Sequence, residues 1–286
     1  MNPEIIITVV VPCFNDGKYL SEALESVYAQ SMDAWEIIIV DDGSTDHATL
    51  QVLDSLNDSR IRVLRADHKG PAAARNLAIS RARGHYILPL DADDKVASTY
   101  LEQAKNVLVS MPEVEITYCQ AQLFGLVRGK WKLPSYNPEL FVLQNMIFST
   151  AMFRRKTWES VGGYSENMLY GMEDYDFWIK LLSRGGAVYR IEEPLFFYRV
   201  RGHSRTASLK KNKRKMEWQS YITLFENNIT FFTRPENTRI IFRELRKSWV
   251  WQNKIHSSFL WRYCFRYLVD AEVMFQQFLK RLLGRA

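Results

Sequence analysis

The sequence predicts an α/β fold: a mostly parallel sheet flanked by helices, followed by a helical C-terminal extension. Three observations carry that expectation. Through the first 120 residues, apolar runs rich in β-branched residues alternate with segments of helical periodicity, and the connections are short. The runs are apolar throughout rather than alternating, as strands buried on both faces of a parallel sheet require. Three of the first four runs end in polar, mostly acidic clusters, and ligands of open α/β sheets bind beyond the C-terminal ends of the strands.

Ile5–Val11 is the first strand, and Lys18–Gln30 the first helix, with Leu20, Ala23, Leu24, Val27 and Tyr28 on one face. Glu36–Val40 is the second strand, Thr45–Leu56 the second helix and Ile61–Leu64 a short third strand. Pro71–Arg81 opens with proline at the first helical position. His85–Leu90 is the fourth strand and Ser98–Val109 the next helix, with right-handed crossovers expected throughout. After Val114–Cys119 the rhythm changes. Gln122–Val127 and Ser149–Arg154 read as strands, Pro138–Met146 and Glu173–Ser183 as helices. Ala187–Ile191 and Leu195–Val200 read as two strands split by Glu192-Glu193-Pro194, and from about Ser208 only helices are expected. The expected division is a domain at 1–207, with halves at 1–119 and 120–207, and a basic helical region at 208–286.

The 286 residues carry a net charge of +6, unevenly spread. Residues 201–286 hold 18 Lys and Arg against 6 Asp and Glu, whereas residues 1–200 hold 20 against 26. Two parts so charged suit different surroundings. Cys13, Cys119 and Cys264 show neither metal spacing nor a disulfide framework, which suits a reducing compartment. MNPEIIITVVVP reads as a strand rather than a signal peptide, and no run of about 18 apolar residues suggests a spanning helix.

The strand-end clusters are PCFND (Pro12–Asp16), DDGSTD (Asp41–Asp46) and DADD (Asp91–Asp94). No glycine-rich loop follows the first strand, which excludes a dinucleotide fingerprint and a P-loop. Three carboxylates within four residues repel one another and resist burial unless a positive charge is near. A hard divalent cation, Mg²⁺ or Mn²⁺, bridging protein to substrate phosphates is the expectation; the bland alternative is an acidic turn before the helix at Ser98.

PCFNDGKYLSEALESVYAQ, EIIIVDDGSTD, GPAAARNLAISRARGHYILPLDADD, GGYSE and GMEDYDFWIKLLSRG, in this order, resemble glycosyltransferase family 2 over roughly residues 4–206. The resemblance implies the GT-A fold and an inverting, non-processive transfer from a nucleotide-diphosphate sugar, UDP-linked by family habit. The acceptor it implies is a hydroxyl of a glycan or lipid-linked molecule. It implies that Pro12, Phe14 and Asp42 hold the nucleobase, that Arg75 lies near the base and its aspartates, and that Asp91, Ala92 and Asp93 form the D-x-D. Asp91 is then expected by the ribose, Asp93 on the metal, Asp174 as the catalytic base and Glu173 beside it as an acceptor contact, with 1–119 the nucleotide-binding half and 120–207 the acceptor half. Asn15 equally suits a cap on the following helix or a donor contact, and Asp46 reads as a turn or cap residue. Trp158, Tyr164 and Trp178 suit acceptor platforms or core packing alike. One departure stands out. Where the family often shows a histidine three residues past the tyrosine of the last strand, this chain has Arg201, with His203 and Ser204 following. Arg201 is then a candidate contact to diphosphate or acceptor, and His203 a candidate metal ligand.

Lys210–Lys215 forms a basic run, and Phe259–Leu282 places Leu260, Tyr263, Tyr267, Leu268, Met274, Phe275 and Phe278 near one helical face. A basic aromatic helix suits an anionic membrane surface, and equally suits packing on the catalytic domain or on a second copy in a homodimer. Nucleic acid is not expected, because the acidic strand ends repel a polyanion. A cytoplasmic location, peripheral on the inner membrane, follows from this reading. Two further functions compete. A nucleotidyltransferase would carry a glycine-rich, basic loop after the first strand, which PCFNDGK lacks. A catalytically inactive family member serving as a membrane-surface adaptor would not need both Asp93 and Asp174.

Overall fold

Ile7–Cys13 (β1) and Trp35–Asp41 (β2) run parallel, with Cys13 opposite Asp41, so the first two acidic clusters emerge side by side. Ile61–Arg65 (β3) extends the sheet beyond β2, and Tyr86–Pro89 (β4) pairs parallel on the other side of β1. Val9, Val10, Ile37, Ile38, Ile39, Ile87 and Leu88 have no exposed surface, which is why these strands read as unbroken apolar runs. The structure is a computed structural model and describes residues 5–202 and 213–254.

The connecting helices are Gly17–Tyr28 (α1), His47–Ser55 (α2) and Pro71–Ser80 (α3). Leu20, Ala23, Leu24 and Val27 of α1 are buried at the helical spacing read from the sequence. Gly17 lies against Thr49 of α2, where an added Cβ would meet the Thr49 Cα at 2.4 Å. Thr49 Oγ1 accepts from the Gly17 amide at 2.9 Å, so the loop after β1 is fastened to α2.

Beyond β4 the sheet becomes mixed. Lys95–Val96 (β5) follows the DADD turn and precedes Tyr100–Ser110 (α4). Val114–Gly125 (β6) carries a hairpin partner, Gly129–Trp131 (β7), followed by the short helix Pro138–Phe141 (α5). Met152–Arg154 (β8) joins β4 to β6 in antiparallel fashion, and Arg155–Val161 (α6) and Glu173–Leu182 (α7) follow. Ala187–Val200 (β9) runs parallel to β6, with β5 antiparallel on its far side. The path is β3-β2-β1-β4-β8-β6-β9-β5, with β7 attached to β6.

Two sequence expectations change here. Val114–Gly125 is one strand running through the expected break after Cys119 and stopping short of Val127, and the two segments around Glu192-Glu193-Pro194 are likewise one. The register slips between Cys119 and Ala121, opposite Pro194, so the proline falls where the ladder is already interrupted.

Among the described residues, those up to Thr233 form one compact unit and those from Arg234 another. Lys213–Asn227 (α8) and Ile229–Phe232 (α9) belong to the first, and Pro235–Lys254 (α10) to the second. Asp176 of α7 has no exposed surface, and its Oδ1 accepts from Asn227 at 3.0 Å and Asn228 at 2.8 Å. Leu224 is 2% exposed, and the Phe231 ring meets Phe141 edge-on. Positions 210–212 of the basic run, the Phe259–Leu282 stripe and His203 lie outside the described residues. Deleting everything after Lys210 is expected to strip both amide donors from Asp176 and bare the apolar surface under Leu224. Light scattering and a thermal melt should show aggregation and a lower Tm. A truncated chain melting with the full one would show that α8 and α9 add nothing to the fold.

Candidate active site

The C-terminal ends of β1, β2 and β4 lie at one edge of the sheet, with Cys13 opposite Asp41 and Pro89 opposite Val10, and the site is built there. Asp42, just past β2, is 4% exposed. Its two oxygens accept from the backbone amides of Lys69 and Gly70, each at 2.8 Å. Gly70 has φ +92°, a conformation that favours glycine, and it precedes Pro71 at the start of α3. Asp42 therefore sets the entry of α3, and each oxygen keeps a second lone pair for another donor. Phe14 is 40% exposed and lies against the His68 ring, with centroids 4.0 Å apart. Pro12 lies within β1 opposite Val40, its ring held by the sheet.

Asn15 takes a left-handed backbone, φ 54°. Its Oδ1 accepts from the amides of Thr45 and Asp46, both at 2.8 Å, so it fixes the loop after β2 rather than capping α1. Asp46 caps α2, accepting from Thr49 N at 3.0 Å.

Each carboxylate of DADD is met by cationic or amide groups. Arg75 of α3, 2% exposed, donates through Nη2 to Asp91 Oδ1 at 2.7 Å and through Nη1 to Glu173 Oε1 at 3.0 Å. Burial works against its charge, but Asp91 and Glu173 outweigh it and hold the guanidinium pKa above its ordinary value. Arg201 pairs with Asp16 and reaches Asp93 Oδ2 at 2.7 Å. Arg199 donates its amide to Asp94 Oδ1 and its Nε to the Asp93 carbonyl, both at 2.8 Å, clasping the turn onto β9. Ala92, 2% exposed, fills the space inside that turn. Burial, then the charge of Asp91, push the Asp93 carboxyl up to about 6, with Arg201 working the other way.

Asp174 opens α7. Its Oδ1 accepts from Tyr175 N at 2.7 Å and its Oδ2 from Asn145 Nδ2 at 3.1 Å. The carboxyl lies in the wall of a cavity of about 250 Å³ that also takes in Trp131, Asn145, Ser149 and Tyr198. Burial first, then the neighbouring Glu173, push its pKa up to about 7. The residue is part-buried, and the cavity is the space its carboxyl meets.

Arg75 thus links the D-x-D at Asp91 to Glu173, the residue next to Asp174. Trp178 is placed differently from an acceptor platform. It has no exposed surface, and its Nε1 donates to the Ile147 carbonyl at 3.2 Å, so its indole is core. Tyr164, 3% exposed and stacked on Phe177, is likewise core. Trp158 donates to Asn76 Oδ1 at 3.2 Å and lines a different hollow, beside Lys69 and Glu166. Trp131, Asn145 and Arg199 went unread in the sequence, and Asp16 was read only as the end of the cluster after the first strand. Asn145, Arg199 and Asp16 act through partners 29 to 185 residues away.

Among the described residues no group of three His, Cys, Asp or Glu side chains is arranged to hold a metal ion. The donors present still fit one. Mg²⁺ and similar ions are held by one or two carboxylates plus substrate phosphates rather than by an all-protein cage. Asp93 is an oxygen donor whose carboxyl is pushed up first by burial and then by the charge of Asp91, and a bound cation offsets both.

An α/β unit with this strand order and a carboxylate-lined edge is the GT-A architecture. Two solved structures share it: S. aureus TarS 1–349 in complex with UDP-GlcNAc, and the mannosyltransferase PcManGT from Pyrobaculum calidifontis in complex with GDP-Man and Mn²⁺. TarS superposes with TM-score 0.62 at 20% identity, covering 77% of this chain and 66% of TarS. PcManGT gives TM-score 0.56 at 18% identity, covering 95% and 81%. The model of the family "Glycosyl transferase family 2" matches residues 8–177. The putative teichuronic acid biosynthesis glycosyltransferase TuaG of Bacillus subtilis (strain 168) is 31% identical over 227 residues, 76% of this chain and 87% of TuaG. The chain belongs to glycosyl transferase family 2. It spans a third or less of the length of several other curated relatives that it matches.

Proposed function

We propose that the chain moves a glycosyl group from a nucleotide-diphosphate sugar to a hydroxyl of a glycan or lipid-linked acceptor. The transfer is a single displacement that inverts the anomeric carbon. The observation that carries this is the continuous path from Asp91 through Arg75 and Glu173 to Asp174, whose carboxyl is pushed up to about 7.

The residues divide the work. Phe14 offers an exposed ring face to a nucleobase, and Asp42 the free lone pairs of two anchored oxygens. Asp174 takes the proton of the attacking acceptor hydroxyl, and a carboxylate titrating near 7 is well matched to that at neutral pH. Asn145 and the Tyr175 amide fix its orientation. A divalent cation, Mn²⁺ or Mg²⁺, held by Asp93 would supply positive charge to the leaving diphosphate. Arg201, already at Asp93, is a second cation for the diphosphate.

The UDP-GlcNAc of TarS and the GDP-Man of PcManGT support a nucleotide-sugar donor, with UDP favoured. TuaG's role in teichuronic acid biosynthesis supports a cell-envelope glycan as acceptor. The excess of 18 basic over 6 acidic residues after position 200 supports a peripheral place on an anionic membrane face. Among the described residues no helix is long and apolar enough to cross a membrane.

Incubation with UDP-, GDP- and dTDP-sugars and Mn²⁺ tests this, reading free nucleoside diphosphate and the anomeric configuration of the product by NMR. Retained configuration would remove the single displacement. Thermal shift with UDP tests Asp93. Wild type should gain about 2.7 kcal/mol at 100 Kd of UDP with Mn²⁺ present. Asp93→Ala is expected to lose the Mn²⁺-dependent part of that gain and to match wild type in EDTA. A variant that keeps the Mn²⁺-dependent gain would show that Asp93 does not hold the ion.

A further inference from the structure

The cavity beside Asp174 has a chemical character that narrows the acceptor. Its aromatic wall is one assembly. The Trp131 ring lies 4.8 Å from Tyr198 and is near-parallel to Phe148 at 6.2 Å, and Phe148 lies 4.6 Å from Phe196. Trp131 is half-buried, held through the pairing of β7 with β6 at Ala121. The cavity's volume, about 250 Å³, is near the small end of ligand sites, which begin at about 300 Å³. That is room for one sugar ring.

Charge is the second feature. Asp174 is the charged side chain in this lining, and no Lys or Arg shares it among the described residues. Lys130 and Arg190 line a neighbouring hollow that shares Trp131 and Leu133 with this cavity. Arg190 is already taken by Glu192, donating through Nε at 3.0 Å and Nη2 at 2.9 Å. Arg75 is spent on Asp91 and Glu173. An acidic sugar or a phosphorylated residue in this cavity would set an unpaired anion beside Asp174. A neutral pyranose meets the lining well. Its axial C–H face suits the electron-rich face of an indole, and its hydroxyls find Asn145, Ser149 and Asp174.

Building on the transferase reading, we infer that the acceptor residue carrying the attacking hydroxyl is a neutral pyranose stacked on Trp131. An anionic acceptor unit is excluded from this position. Any anionic group of the acceptor belongs further along the chain, outside the cavity.

Saturation-transfer NMR on the full chain, with UDP and Mn²⁺ present, tests this using 4-nitrophenyl β-glucoside, β-N-acetylglucosaminide and β-glucuronide. At least one neutral glycoside should bind about tenfold or more tightly than the glucuronide. Trp131→Ala should weaken the neutral glycoside about tenfold, Trp131→Phe should retain most binding, and UDP binding should stay unchanged in both. Asp174→Asn should narrow the gap between glucoside and glucuronide, because it removes the facing charge. Equal or tighter glucuronide binding, no binding of either neutral glycoside, or a Trp131→Ala chain that binds them as wild type does would overturn the inference. Failure of the transferase reading shows elsewhere, as no nucleoside diphosphate released from any nucleotide sugar while glycosides still bind at Trp131.

Discussion

Asp174→Asn is expected to cut turnover by about 100-fold or more while donor affinity changes by less than about twofold. Asparagine keeps the shape at the start of α7 and still accepts from the Tyr175 amide, but it takes no proton from a hydroxyl. Asp174 lies in the cavity wall, away from Asp42 and Phe14 at the proposed nucleobase end, which is why donor binding is spared. In wild type the rate should rise with pH as Asp174 ionises near 7, and this limb should vanish in the variant. The same shift has a stability consequence of fixed sign. The folded carboxyl binds its proton more tightly than the unfolded one, whose ordinary value is 3.8. Stability from this group is complete below about 4 and declines as pH rises to about 7. Asp174→Asn, which never ionises, should therefore melt higher than wild type at pH 8, with the difference shrinking toward pH 4. Equal losses of donor binding and turnover would move Asp174 into the nucleotide site, and an unchanged pH limb would take the base role from it.

The parallel half of the sheet was legible because burial on both faces leaves a mark that needs no partner to be read: Val9 to Val11 and Ile37 to Val40 are apolar whatever lies beside them. The D-x-D and Glu173-Asp174 were legible as motifs for a similar reason. The parts that escaped depend on tertiary partners. Helical spacing runs on to Met146, yet α5 stops at Phe141, and past that point Asn145 gives its side chain to Asp174 and its Oδ1 accepts from Ile147 N at 3.1 Å. Lys95–Val96 is too short to show a period, and it exists because Phe196 and Phe197 of β9 pair with it. Glu192-Glu193-Pro194 reads as a break, and only the slip in β6 lets the strand continue through it. Trp178, open in the sequence between platform and core, is core, and Trp131, unread there, lines the cavity. A tryptophan's spacing on a helix does not say which face meets the core, and α7 turns Trp178 inward.

Arg75 is the residue whose loss should cost most. A guanidinium 2% exposed is shared between Asp91 and Glu173, so Arg75→Met removes the cation that holds both carboxylates. Breaking a buried pair from one side costs about 3–5 kcal/mol. For a folding unit of this size that is a fall in Tm of about 6–20 °C. The outcome separates a charge effect from a packing effect. Methionine fills much of the same volume, so a second change, Glu173→Gln on the Arg75→Met background, should recover part of the loss by removing an unpaired charge. A packing defect would not recover. Arg75 also lowers the Asp174 pKa, since its charge opposes the rise that burial and Glu173 cause. The residual activity of Arg75→Met should therefore show its ascending pH limb above 7, at higher pH than wild type. Arg75→Lys keeps the charge but cannot reach both carboxylates with a planar fork, and should fall between the two. A melt for Arg75→Met within about 1 kcal/mol of wild type, with an unmoved pH limb, would mean that the Asp91–Arg75–Glu173 bridge neither holds the fold nor tunes the base.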